Sequence, residues 1–190
     1  MSLVYRYLFL AMWLSWVAYW WLASRGAKPA ERREPVGSRL LHVLPLVLAF
    51  WLLWAKRVPG IFVTERLFPW APWEFWVAAF VTAAGILFTV WARVRLGGNW
   101  SGIVTIKHDH ELIANVPYAM VRHPIYTGLL IAFIGSAMAR GEWSGVFAVL
   151  IAWGALWRKL RLEERWMAER FGQQYEAYCR RVPALVPFWK

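Results

Sequence analysis

A chain of 190 residues that is 60% hydrophobic and holds 16 tryptophans, with a mean hydropathy of +0.39, carries more apolar surface than a soluble domain of that length can bury. Its net charge of +11 sits in basic segments flanking apolar runs, not in one stripe, which fits a membrane protein with basic loops and argues against a nucleic-acid binder. A single cysteine, Cys179, excludes an internal disulfide, and no CxxC or Cys/His metal spacing appears.

Residues 3 to 23 form an apolar run of the ~20 residues that a bilayer core requires. No short apolar core followed by an A-x-A cleavage site is present, so the run reads as a retained span. Residues 24 to 39 (SRGAKPAERREPVGSR) are polar, hold two prolines and two glycines, and read as a loop. Residues 40 to 55 are a second, short span containing Pro45, tolerated where neighbouring helices satisfy the freed carbonyl. His42 near its start reads as an interfacial histidine in preference to a ligand. Residues 56 to 72 mix proline, glycine, charge and aromatics, as an interfacial segment does. Residues 73 to 92 are the clearest later span, with Ala78, Ala79, Ala83, Ala84 and Gly85 suited to close helix packing.

Residues 93 to 123 are the longest polar connection. The runs 124 to 139 and 143 to 157 are apolar, each short for a full crossing, and Gly141 and Glu142 between them predict a tight hairpin. From Trp157 the helix continues out of the membrane, and Gly172, Pro183 and Pro187 break up the tail. The 24–39 loop, the 93–123 connection and the tail from 158 carry most of the Lys and Arg, and five spans bring all three to one side. The positive-inside rule makes that side cytoplasmic. The expected architecture is an all-α integral membrane protein of about five transmembrane helices, with a cytoplasmic C-terminal helix packing on the 93–123 loop. The chain reads as one membrane domain over residues 1–190, with three N-terminal spans in 1–92.

Two polar islands share the basic side: HDHELIANVPYAMVRHPIYTG, residues 108 to 128, and WRKLRLEERWMAERFGQQYEAY, residues 157 to 178. In the first, Pro124 suits the first helical position and biases His123 towards an extended backbone. The N–H groups of Ile125 and Tyr126 are then expected to point beside His123 and attract an anion. Tyr126 adds an aromatic wall and a hydroxyl, and Gly128 permits a close approach. Taken alone, a proline-started span with a snorkelling Arg122 accounts for the same residues. In the second island, Glu163 and Glu164 lie where ionised carboxylates are costly unless paired. Glu164, Arg165 and Glu169 read as a solvated helix face, whereas Glu163 suits a cationic ligand group. A ligand needing an anion site, a cation site and aromatic walls together is S-adenosylmethionine, whose sulfonium is drawn to aromatic faces.

The stretches VPYAMVRHPIYTG and KLRLEERWMAERFGQQYEAYCRRVPALVPFW resemble the isoprenylcysteine carboxyl methyltransferase family and its bacterial and archaeal relatives, and more distantly the phospholipid N-methyltransferases. The signal is RHPxYxG, an EE pair, FGxxYxxY and V-P-x-x-x-P in that order, over residues 108 to 189; the first two spans add only hydrophobicity. The resemblance implies a methyltransferase that uses S-adenosylmethionine and releases S-adenosylhomocysteine, with residues 93–190 as its cofactor-binding catalytic half. It implies that His110, Leu112 and Ile113 line the adenosyl side of a pocket and that Tyr118 packs on the cofactor. His123, Pro124 and Tyr126 turn around its amino-acid end and sulfonium, and Glu163 binds its ammonium. Lys159 stands where the eukaryotic enzymes use an arginine for the substrate carboxylate, and a lysine lacks the bidentate fork. Tyr126, Lys159 and Glu163 are thus the catalytic candidates, with no metal. The implied partners are membrane lipid and a lipophilic acceptor entering from the bilayer, either an isoprenylcysteine-type carboxylate or another membrane-soluble small molecule. The implied location is a bacterial inner membrane, with the catalytic face cytoplasmic. A membrane-embedded NAD(P)H-dependent reductase of sterol-reductase type and a non-enzymatic membrane subunit are the alternatives.

Overall fold

The computed structural model describes residues 3–26, 30–55, 64–67, 69, 71–100, 104–107 and 112–187. The fold is that of a helical membrane protein. Among the described residues six α-helices run in chain order: α1 Leu3–Ala23, α2 Val36–Trp54, α3 Pro72–Leu96, α4 Pro124–Arg140, α5 Trp143–Phe171 and α6 Gln173–Arg181. Helices α2 and α3 are each long and apolar enough to cross a membrane, while Tyr7–Ala23 and Pro124–Arg140 are shorter apolar helices. Large apolar side chains stand on the outer faces, among them Phe80 at 74% and Leu87 at 66% exposure. Such surface is costly in water and costs nothing against lipid tails.

Prolines start α3 and α4, and glycines stop α3, α4 and α5. Pro72 and Pro124 occupy first-turn positions, where a missing N–H is harmless. The Glu74 carboxylate accepts the Ala71 N–H at 3.2 Å. Gly141, at φ 65°, closes α4 in the left-handed conformation and lets α5 start two residues on.

Helices α3 and α4 touch backbone to backbone. A methyl built on Gly85 would lie 2.5 Å from the Ala132 nitrogen and 2.6 Å from the Gly128 oxygen. One built on Gly128 would lie 2.7 Å from the Gly85 oxygen. What approaches Gly128 is therefore α3. Indole N–H groups tie α1 to this pair, from Trp13 to Ser136 Oγ at 3.0 Å and from Trp16 to Thr89 Oγ1 at 2.8 Å. At the hairpin end, the Arg140 guanidinium donates to the Leu53 and Ala55 carbonyls at 2.8 and 2.6 Å and pairs with Glu142. These are the orphan carbonyls that close α2.

At the other end a short two-stranded ribbon joins the otherwise helical architecture. The 24–39 segment is not all loop, because β1 (Ala30–Arg33) pairs antiparallel with β2 (Thr105–Lys107), and α2 begins at Val36. The Glu34 N–H extends the pairing to the Val104 carbonyl at 3.0 Å. The ribbon joins segments far apart in sequence, and it gathers the first loop, the third connection and α5 at one end. Arg32 meets Glu169 at 2.7 Å, and Val104 packs on Trp166.

His42 is corrected too. It is 1% exposed, with Nε2 3.7 Å from Glu34 Oε2 and Nδ1 3.1 Å from Arg158. Ser38 completes the cluster, donating to Glu34 at 2.6 Å and accepting from Arg158 at 2.9 Å. Burial of Glu34 demands such partners, and they fasten α2 to α5.

Candidate active site

The turn before α4 is built by the chain's tail. The N–H groups of Arg122 and His123 donate to the carbonyls of Pro183 and Ala184 at 2.8 and 3.1 Å. Thr127 Oγ1 donates to the Leu185 carbonyl at 2.7 Å. Arg122 turns inward from this pairing. Its Nε donates to Glu164 Oε1 at 2.7 Å, and another nitrogen donates to the Val182 carbonyl at 2.5 Å. Burial opposes the guanidinium charge, and the Glu164 carboxylate outweighs it, holding Arg122 above its ordinary pKa. The Tyr178 hydroxyl locks α6 to the same turn, donating to the Tyr118 carbonyl at 2.6 Å.

Beside this turn lies a cavity of about 380 Å³, within the size range of small-molecule sites. Its polar end is where α4 meets α5. The Tyr126 hydroxyl donates to Glu163 Oε1 at 2.6 Å, and His123 Nδ1 stands 3.6 Å from Glu163 Oε2. The His123 and Tyr126 rings stack with centroids 5.4 Å apart at 4°. On the far side of His123, Nε2 lies 3.3 Å from Glu164 Oε1. The Lys159 ammonium lies 5.4 Å from the centre of the Tyr126 ring. The Glu163 side chain is 24% exposed, so it keeps a face to the cavity. Burial pushes the phenols of Tyr118, Tyr175 and Tyr178 well up, so they stay hydroxyls and offer aromatic walls.

The cavity brings together the residues singled out from the sequence. Leu112, Ile113, Tyr118, His123 and Pro124 line it, as do Tyr126, Lys159 and Glu163. His110 lies outside the described residues. Three expectations are corrected. The Tyr126 N–H is not turned to the cavity but donates to the His123 carbonyl at 3.0 Å. Glu164 is not a solvated face residue; Arg122 and His123 pair with it, because the tail folds α6 back over that side of α5. The first spans do more than add hydrophobicity, since Trp16, Trp20 and Leu46 stand in the cavity wall. A sequence signal for Trp16 and Trp20 existed, as tryptophans four apart share a helix face.

Residues 73–174 match the family described as phospholipid methyltransferase. Over 99 residues the chain is 35% identical to the protein-S-isoprenylcysteine O-methyltransferase of Schizosaccharomyces pombe, covering 50% of this chain and 42% of that one. It is 28% identical over 127 residues to protein-S-isoprenylcysteine O-methyltransferase B of Arabidopsis thaliana, covering 64% of each. It is 31% identical over 136 residues to the cobalt-zinc-cadmium resistance protein CzcN of Cupriavidus metallidurans, covering 69% of this chain and 61% of that one. The chain thus spans less than two thirds of the length of these curated relatives. Among solved structures, the fold is similar to that of the eukaryotic intramembrane Ras methyltransferase, an isoprenylcysteine carboxyl methyltransferase. The TM-score is 0.58 at 22% identity, over 83% of this chain and 55% of that one.

Proposed function

We propose that this chain, which belongs to the phospholipid methyltransferase family, is an S-adenosylmethionine-dependent methyltransferase acting on a lipophilic acceptor at the cytoplasmic face of a membrane. The observation that carries the reading is the meeting of His123, Tyr126 and Glu163 at the polar end of a cavity whose other end is apolar. The family match favours methyl transfer over the reductase and subunit readings.

The donor set fits the cofactor. Glu163 is the carboxylate suited to its ammonium, and the rings of Tyr118, His123 and Tyr126 suit a sulfonium. Leu112 and Ile113 suit the adenosyl side, with His110 as the further residue that the family resemblance implies. When bound, S-adenosylmethionine supplies a methyl group on a positively charged sulfur, open to a nucleophile. The remaining work is positioning and charge placement by the chain's own side chains. Tyr126 fixes the Glu163 carboxylate by its hydroxyl, while His123, stacked on Tyr126 and held against Glu164, fixes the Tyr126 ring. Lys159, beside Tyr126, suits an anionic acceptor head. A carboxylate head, as in an isoprenylcysteine, is already ionised at neutral pH and needs no general base.

In this reading α1 to α5 all cross a bacterial inner membrane. Residues 1–92 supply three spans, 93–190 supply the polar half of the site, and the basic β1–β2 end faces the cytoplasm. Calorimetric titration of the detergent-purified protein with S-adenosylhomocysteine is expected to give stoichiometric binding. Tritium from labelled cofactor is expected to enter an organic-soluble product of a lipid extract. Absence of both defeats the proposal.

A further inference from the structure

Four polar side chains outside the cavity wall meet on the other side of α5. Glu34, just before α2, and Ser38 and His42, within it, are reached by Arg158 from α5. The Glu34 side chain is fully enclosed, while that of Arg158 keeps 35% exposure. A guanidinium has only donors, so His42 Nδ1, 3.1 Å from Arg158, is the bare, accepting nitrogen. The imidazole is then neutral, with its proton on Nε2. That proton faces Glu34 Oε2 across 3.7 Å, too far for a hydrogen bond. Glu34 Oε2 is buried and finds no hydrogen-bond partner among the described residues.

The cluster thus stands between two pairings. A second proton, on Nδ1, sets N–H against N–H and ends the bond from Arg158. The imidazolium then turns its charge on the Glu34 carboxylate, and Arg158 has a solvent-facing side to move to. The charged groups around His42 are Glu34 from the β1–α2 junction and Arg158, Lys159 and Glu163 from α5. What moves with Arg158 is the polar turn of the site. Arg158 immediately precedes Lys159, and successive helix residues are rotated by about 100°. Arg158 therefore faces α2, while Lys159 lies 5.4 Å from the centre of the Tyr126 ring on α4. Glu163, one turn further on, receives the Tyr126 hydroxyl. The Arg158 anchor fixes the rotation of α5 between these two neighbours.

We propose that His42 is a positioning residue operated by a proton. Neutral, it holds Arg158 and so sets the turn of α5 that presents Lys159 and Glu163 to the cavity. Doubly protonated, it releases Arg158, and the turn loses its anchor on α2. The proposal rests on the methyl-transfer reading of the cavity, and it makes cofactor affinity fall as pH falls through the titration of His42.

The test is calorimetric titration of the purified full chain with S-adenosylhomocysteine between about pH 8 and about pH 5.5, a range that spans an ordinary histidine. Wild type is expected to lose about tenfold in affinity across it, the scale of an ordinary coupling between sites. His42→Asn sets an amide oxygen near the Nδ1 position, so it still accepts from Arg158, and it cannot take up a proton. It is expected to bind within about twofold of wild type at the upper end and about fivefold more tightly than wild type at the lower end. His123 is common to both chains, so their ratio isolates His42. His42→Leu keeps the bulk without the acceptor and is expected to bind about tenfold more weakly than wild type throughout. A role in stability alone lowers the unfolding midpoint of His42→Leu without separating the pH profiles of wild type and His42→Asn. Nitrogen NMR of histidine-labelled protein at about pH 8 is expected to show a protonated Nε2 and a bare Nδ1 for His42, whose signals are identified by their loss in His42→Asn. A proton on Nδ1, or parallel affinity profiles in wild type and His42→Asn, overturns the proposal, and that comparison decides even if His42→Leu does not fold. A wild-type chain that binds no S-adenosylhomocysteine at any pH defeats the methyl-transfer reading and the positioning role with it, while the nitrogen spectra still decide which partner His42 holds.

Discussion

Replacing Glu163 by Gln separates charge from shape at the centre of the cavity. The amide oxygen of Gln still accepts the Tyr126 hydroxyl, now 2.6 Å from Glu163 Oε1, so the α4–α5 contact survives. What is lost is one negative charge facing the cavity. A hydrogen bond to a charged partner contributes about 1.5–3 kcal/mol. The Glu163 side chain is 24% exposed, and that wetting draws the figure to about 2 kcal/mol. At 1.4 kcal/mol per decade, S-adenosylhomocysteine should bind about 30-fold more weakly to Glu163→Gln. The assay is calorimetric titration of wild type and variant in the same detergent, with thermal unfolding alongside. If the variant is as stable as wild type and its affinity falls by less than threefold, Glu163 does not hold the ammonium.

Glu164 answers differently to the same change. Burial alone raises its carboxyl, but the hydrogen bond from His123 and the pairing with Arg122 outweigh that and hold it below its ordinary 4.5. A depressed carboxyl contributes stability above its unfolded pKa that is lost as pH falls through the folded one. Wild-type thermal stability should therefore drop as pH is lowered from about 5 towards 3, and Glu164→Gln should be less stable at neutral pH with a flatter profile. Gly128→Ala puts a methyl 2.7 Å from the Gly85 oxygen; pushing α4 off α3 should cost about 1–3 kcal/mol, read as a lower midpoint in thermal unfolding. Arg140→Ala unpairs the Leu53 and Ala55 carbonyls at the hairpin end. It should cost about 2 kcal/mol of stability while S-adenosylhomocysteine affinity stays unchanged, measured by unfolding and titration on one preparation.

The features legible in the sequence are those whose cause is local. Pro124 and Gly141 act through their own backbone restrictions, so the start of α4 and its hairpin with α5 follow from single residues. RHPxYxG and the EE pair converge because one precedes a helix and the other sits within its neighbour. What escaped the sequence depends on partners distant in the chain. The AERR strand has no alternation to betray it, and it exists because Thr105–Lys107 lies alongside. Glu34 and His42 look like loop and interface residues until Arg158 arrives from α5 to bury them. Glu164 differs from Glu163 only in which side of α5 it occupies, and the tail decides that side's environment.

The pairing of residues 183–185 with the turn at 122–127 also sets an order of assembly. During synthesis all five long helices emerge before the carbonyls that satisfy the Arg122 and His123 amides exist. A chain halted at residue 181 has made the six helices of the described residues yet leaves two backbone donors and the Arg122 head without those acceptors. Residues 183–185 thus clasp the turn from outside the helices, and the polar rim of the pocket depends on that strap.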